Sequence, residues 1–168
     1  RFAEAGARVV SITAKDKLRK QLSKGLDVAG GSVSFSSEHA DRCTMAENGI
    51  ENVLPWLGMD KPGMYSMELS LLVMEAGIKL LQERRPELLF LSLTDWVQHK
   101  WAPHEEGAKT FYRRLDNAIG RLDALGATVA LTADHGMNDK SNEAGEPKVI
   151  WLQDILDARF GAGATTVI

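Results

Sequence analysis

The sequence predicts an α/β fold, a mostly parallel sheet flanked by helices. Two apolar runs, Leu88-Leu89-Phe90-Leu91-Ser92-Leu93 and Ala127-Thr128-Val129-Ala130-Leu131-Thr132, have the composition of buried parallel strands. Stretches of helical period separate the candidate strands, and that alternation predicts parallel pairing through crossover connections. The length of 168 residues, with 44% hydrophobic and 26% charged content, suits a single soluble domain covering residues 1–168.

In chain order, Arg8–Thr13 is a short β-branched run and reads as a strand, and a basic helix start follows over Lys15–Leu22. Residues 25–49 are rich in Gly and Ser, and are expected as loops with one short strand and one polar helical turn. Pro55, Gly58, Pro62 and Gly63 are expected to break any regular element, which makes 25–65 a loop-rich or cap-like insertion. A helix is predicted from Ser66 to Arg85, because Leu69, Leu72, Val73, Ala76 and Leu80 recur at helical spacing; Ser66 can cap its start and Pro86 stops it. The first long apolar strand comes next. A second helix is predicted over Glu106–Leu125, with Ala108, Phe111, Tyr112, Leu115, Ile119 and Leu122 as its apolar stripe and Gly126 at its C-terminus. The second apolar strand follows at once, then a polar loop from Asn138 to Pro147. A strand at Lys148–Leu152, a short helix at Asp154–Phe160 and a further strand from Thr165 to Ile168 complete the pattern.

The formal net charge of −3 argues against generic nucleic-acid binding, which shows as a basic surplus. No apolar run approaches the length of a membrane span, so neither nucleic acid nor membrane is an expected partner. The lone Cys43 gives no internal disulfide, and a cytoplasmic setting is expected. The chain opens on Arg1-Phe2-Ala3-Glu4-Ala5-Gly6, which reads like the tail of a helix, and ends like an interrupted strand; a piece of a longer protein is expected.

Both apolar runs end in an Asp and a His, Asp95 with His99 and Asp134 with His135. Ligands in α/β sheets collect at the C-terminal strand ends. Carboxylate oxygen and imidazole nitrogen both suit Zn²⁺. If the chain turns helical at Thr94 or Asp95, the i, i+4 spacing places Asp95 and His99 on one face. Asp134 and His135 are adjacent, and Gly136 lets the backbone bend so that both can reach one ion. The strands ending at Asp95 and Asp134 are expected as parallel neighbours, with two ions forming the clamp used in phosphoryl transfer. Each residue also has an ordinary reading. An Asp at a strand end often caps a helix, His99 can pack beside Trp96 and Trp101, and His39 and His104 read as surface or loop residues.

Thr132-Ala133-Asp134-His135-Gly136-Met137 resembles the Asp-His-Gly segment of the alkaline phosphatase superfamily, and Asp95-Trp96-Val97-Gln98-His99 resembles its Asp-x-x-x-His segment. Within that superfamily the chain is most similar to the phosphonoacetate hydrolases, through Ile12–Arg19, Ser34-Phe35-Ser36-Ser37-Glu38 and Ala133–Asn138. The resemblance implies an alkaline-phosphatase-like core and two Zn²⁺, one held by Asp95 and His99, the other by Asp134 and His135. It implies that Lys15 and Lys17 hold the carboxylate of a small phosphonate substrate, although a solvated basic helix start beside Arg19 and Lys20 is the ordinary reading of that pair. It further implies that the Thr nucleophile and the last zinc ligand, a His, lie outside this chain, so no catalytic nucleophile is assigned to any residue here. Expected activity is zinc-dependent hydrolysis of phosphonoacetate to acetate and phosphate by the intact enzyme. This central piece alone is expected to be inactive and to hold zinc weakly or not at all, with a homodimer as the candidate assembly. Two alternatives remain open: a two-metal phosphodiesterase or nucleotide pyrophosphatase of the same superfamily, which has no use for the Lys15/Lys17 pair, and a non-catalytic fragment of that fold.

Overall fold

The computed structural model describes Phe2 and residues 4–167. Arg1, Ala3 and Ile168 lie outside the described residues, so the helix tail read at residues 1–6 and the strand read at 165–168 fall partly outside them; Glu4–Gly6 form a turn, and Thr165–Val167 are not in a strand. The chain divides into two compact units, Arg1–Ala130 and Leu131–Ile168.

In the first unit, three strands form a parallel sheet in the order β2–β1–β3: β1 is Val9–Thr13, β2 Val33–Ser36 and β3 Leu88–Ser92. Thr13 stands opposite Ser36 on one side and Ser92 on the other, so all three strands end at one edge. Every residue of the central β1 and of its neighbour β2 is buried, whereas β3 is half-exposed, with Phe90 45% accessible. The stretch 25–65 therefore does more than loop. It supplies β2, a 3₁₀ segment Ser37–Arg42 kinked at His39, and helices α2 (Met45–Asn48) and α3 (Val53–Leu57). Pro55 does not break α3, because it lies in the first turn, where a backbone N–H has no intrahelical partner to lose.

Helix α1 is Asp16–Leu22, α4 Glu68–Arg84, α5 Trp96–Lys100 and α6 Glu106–Ala124. The predicted spans of α4 and α6 hold to within two residues. Ser66 does not cap α4; the N-cap position is Met67, and the Ser66 hydroxyl donates to Gly63 O. Gly126 follows α6 at φ +83°, the left-handed conformation that a helix-ending glycine supplies without strain. The α4 stripe packs on the sheet: Leu69, Leu72, Val73, Ala76 and Leu80 share a core with Val10, Ile12, Val33 and Phe35. Its other side, Met74, Ile78 and Leu81, meets Ala118 and Leu122 of α6. At the opposite end of the sheet, the Arg8 guanidinium donates to Arg84 O at 2.9 Å and Arg85 O at 2.8 Å, capping α4 while it pairs with Glu87 at the entry to β3.

Two predicted strands are absent. Residues 127–133 have no regular structure, and among the described residues β3 pairs with β1 alone; the expected ladder between strands ending at Asp95 and Asp134 is not formed. The second unit contains α7 (Leu152–Phe160), and Leu152 belongs to that helix instead of a strand at 148–152. Leu131 is 74% accessible and Ile150 77%. An extended apolar run becomes a strand only where a neighbour offers a ladder to its N–H and C=O groups, and composition records the propensity without the neighbour. The polar loop Asn138–Pro147 is present and is closed by an antiparallel bridge between Ser141 and Pro147.

Leu72 is fully buried between α4 and the sheet. L72A is expected to cost about 2–5 kcal/mol in urea denaturation, whereas K109A, on the exposed face of α6, should stay within about 0.5 kcal/mol.

Candidate active site

The parallel register delivers three connections to one edge. After β1, Ala14 N donates to Ser92 O at 2.8 Å, and Ala14 O accepts from Glu38 N at 3.1 Å, so the chain leaving the central strand is tied to both neighbours. Lys15 follows in extended backbone as the N-cap residue of α1. Beyond β3, Thr94 N donates to the buried Ser70 hydroxyl on α4 at 3.0 Å, which fixes the chain one residue before Asp95.

Asp95 occupies the N-cap position of α5, but its carboxylate makes no capping hydrogen bond. It faces His99 instead, with Oδ2 and Nε2 3.0 Å apart, as the i, i+4 spacing predicts. Both side chains are more than half exposed. Trp96 and Trp101 stack edge-to-face on each other, with centroids 5.3 Å apart. The Asp95–His99 separation is a hydrogen bond between the two side chains. A carboxylate oxygen and an imidazole nitrogen on one face are nonetheless donor types that suit a divalent metal ion. In the second unit, Asp134 and His135 lie on an exposed bend, His135 Nε2 is 3.8 Å from Asp134 Oδ2, and its Nδ1 is 3.0 Å from Gly136 O. That second contact ties the imidazole to the adjoining backbone carbonyl. Among the described residues, no group of three or more His, Cys, Asp and Glu side chains is placed to hold a metal, so each pair stands as two donors.

The Lys15 ammonium reaches the Met64 sulphur and lies 5.6 Å from the centre of the Tyr65 ring; Lys17 is exposed on the first turn of α1. The ordinary reading of this helix start as a solvated basic face does not hold for Arg19, although Lys20 is exposed. Arg19 is buried, with Nε donating to Asp16 Oδ1 at 2.9 Å and a terminal nitrogen to Glu47 at 3.0 Å, and Lys20 pairs with Asp16 at 3.0 Å. The Ser36 hydroxyl donates to the same carboxylate, and His39 Nδ1 lies 3.5 Å from it. His39, expected as a loop residue, is therefore part of a polar cluster lining a cavity of about 270 Å³ with Asp16, Arg19, Lys20, Arg42 and Cys43. Burial pushes the Asp16 carboxyl up, but Arg19, Lys20 and Ser36 outweigh it and hold the group at about 2. Burial pushes the Cys43 thiol up to about 12. Sequence reasoning passed over Asp16 because it sits inside a run of cations, where a lone carboxylate looks like surface; the available signal was Arg19 and Lys20 at i+3 and i+4. His104 lies exposed in a turn.

Residues 16–162 match the family described as type I phosphodiesterase / nucleotide pyrophosphatase, and the chain belongs to that family, a branch of the alkaline phosphatase superfamily. The narrower likeness is to a phosphonoacetate hydrolase. Two crystal structures of that enzyme from Sinorhizobium meliloti 1021, one in complex with phosphonoacetate and one with phosphonoformate, each match with 50% sequence identity and a TM-score of 0.84. Each match covers 99% of this chain and 41% of the other, so the chain spans less than half the length of those proteins. The α/β fold is theirs. No described helix is long and apolar enough to cross a membrane.

The ionised Asp16 stabilises the folded chain over a defined pH range. Its carboxyl titrates near 3.8 when unfolded and about 2 when folded, so its contribution is present above both values and lost as pH falls through them. Stability should rise by about 2 kcal/mol between pH about 2 and 5, and denaturant midpoints of D16N should show a flatter rise over that range.

Proposed function

We propose that this chain supplies the core α/β part of a metal-dependent phosphonoacetate hydrolase, which cleaves the carbon–phosphorus bond of phosphonoacetate with water to give acetate and phosphate. The observation that carries this reading is 50% identity, over 99% of the chain, to a phosphonoacetate hydrolase captured with that phosphonate. In this proposal residues 1–168 belong to a single α/β domain, and the enzyme works in the cytoplasm as a homodimer. The nucleophile and the further metal ligands are proposed to lie outside these residues.

Asp95 and His99 would hold one zinc ion, and Asp134 and His135 the other. Bound there, the metal would supply positive charge to the phosphonate oxygens and to the attacking oxygen. Lys15 and Lys17 are proposed to grip the carboxylate, where a compact ammonium suits an anion that needs charge more than a planar fork. That contact also bears on the chemistry. When the C–P bond breaks, its electron pair moves to the methylene carbon and spreads into the adjoining carboxylate; a proton from solvent then completes acetate. A cation held at the carboxylate meets charge where it develops, so the lysines would lower the barrier as well as bind. The family description favours one second reading, a phosphodiester or nucleotide pyrophosphate substrate.

A charge-assisted contact is worth roughly 1.5–3 kcal/mol, or about ten- to a hundredfold in kcat/KM. In the intact protein, K15A and K17A are each expected to lower kcat/KM for phosphonoacetate by that factor, and to change hydrolysis of a phosphate ester without a carboxylate much less. Equal losses on both substrates, or efficient turnover of a nucleotide diester, would transfer the assignment to the second reading. H99A is expected to abolish phosphonoacetate turnover and to lower the zinc content measured after dialysis.

A further inference from the structure

The segment Ser34-Phe35-Ser36-Ser37-Glu38 has no part in the reaction as described, yet two of its side chains grip the backbone and carboxylate between the two lysines. Glu38 Oε2 accepts from Asp16 N at 2.9 Å, and the Ser36 hydroxyl donates to Asp16 Oδ1 at 3.1 Å. On the other side, the Thr13 hydroxyl donates to Lys15 O at 2.7 Å. The Asp16 carboxylate itself is buried and takes Arg19, Lys20 and His39 in addition to Ser36. Arg19 is in turn braced by Glu47. The peptide linking Lys15 to Lys17 is thus held by its carbonyl, its amide and its side chain.

That grip has geometric meaning because the lysines are two residues apart. Inside one helix, i and i+2 side chains diverge by about 200°, and two ammonium groups so placed would not share a ligand. Here Lys15 precedes the helix with φ −108° and ψ 137°, so its direction is set by the extended backbone at the sheet edge and not by the helical wheel. The break between extended and helical backbone falls between Lys15 and Lys17, at the residue that Glu38 and the Asp16 carboxylate lock.

We propose that Glu38 and Asp16 are positioning residues for carboxylate recognition: they fix the strand-to-helix junction so that Lys15 and Lys17 are presented together to the carboxylate end of the substrate. This rests on the reading of Lys15 and Lys17 as the carboxylate-binding pair. Neither acidic group need touch substrate; each acts through the backbone from which the lysines project, and their negative charge also offsets the cations crowded at this edge.

The experiment measures, in the intact metal-loaded protein, KM and kcat for phosphonoacetate and the inhibition constant of inorganic phosphate, which carries no carboxylate. Variants are E38A, E38Q, D16N, K15A and K17A, each with a thermal melt. The expected result is a KM for phosphonoacetate raised about tenfold in E38A, with inhibition by phosphate within about twofold of the parent. E38Q keeps a carbonyl oxygen to accept from Asp16 N and should recover most of the KM. D16N should behave like E38A; if it fails to fold, the Glu38 pair of variants carries the test alone. A selective KM effect in K15A and K17A with none in E38A would overturn the positioning role and leave the lysine assignment standing. E38A losses that fall equally on phosphonoacetate and phosphate, in step with a lower melting temperature, would overturn it as well, since a merely structural role predicts that. Lysine variants without carboxylate selectivity would remove the reading on which the proposal rests.

Discussion

Strand β1 has a hydrogen-bonded neighbour on each side and is buried at all five positions. The two ladders and the α4 core both refer to it, and removing Val10 and Ile12 from water alone contributes roughly 3–6 kcal/mol on transfer arithmetic. Because both neighbours are parallel to it, the chain emerges three times at one edge. The two ties at Ala14, to Ser92 on one side and Glu38 on the other, carry that alignment one residue past the end of the sheet. Lys15, Glu38 and Asp95 each follow one of those three exits from the sheet.

The polar cluster behind Lys15 obeys a different balance. Burying Asp16 and Arg19 costs both groups their hydration, and a buried ion pair is weak evidence of net stabilisation. What such a network supplies is one geometry. Arg19, Ser36 and Lys20 donate to one carboxylate with His39 Nδ1 3.5 Å away, and a shift of the α1 start would strand a buried charge. An apolar substitute of equal volume could match the stability, but it would not define where the helix begins.

Much of this was legible in the sequence because it depends on local pattern. The α4 and α6 stripes, the glycine after α6 and the i, i+4 relation of Asp95 and His99 all follow from helical geometry within a few residues. The strand readings at 127–132 and 148–152 failed for the converse reason: a strand is a relation between segments, and Val129 or Ile150 says nothing of its neighbour. The role of the stretch 25–65 was hard to read because Gly30 and Gly31 look like plain loop, while the pairing of Val33–Ser36 with β1 spans more than twenty residues of chain. The pairing of His39 with Asp16 was missed on similar grounds. Their partnership crosses from α1 to the kinked turn after β2, and no spacing rule links positions that far apart.

The lone cysteine adds something of practical use. Cys43 packs at the end of the kinked 3₁₀ segment, lines the cavity beside Asp16 and Arg19, and leans its Sγ–H toward His39 O. Burial pushes that thiol up to about 12 and so keeps it in the weakly nucleophilic protonated form at neutral pH. Its half-buried place in the wall behind Lys15 makes this one sulphur a built-in reporter: alkylation should run slower in the folded chain than in the unfolded one, and any loosening of that wall should speed it.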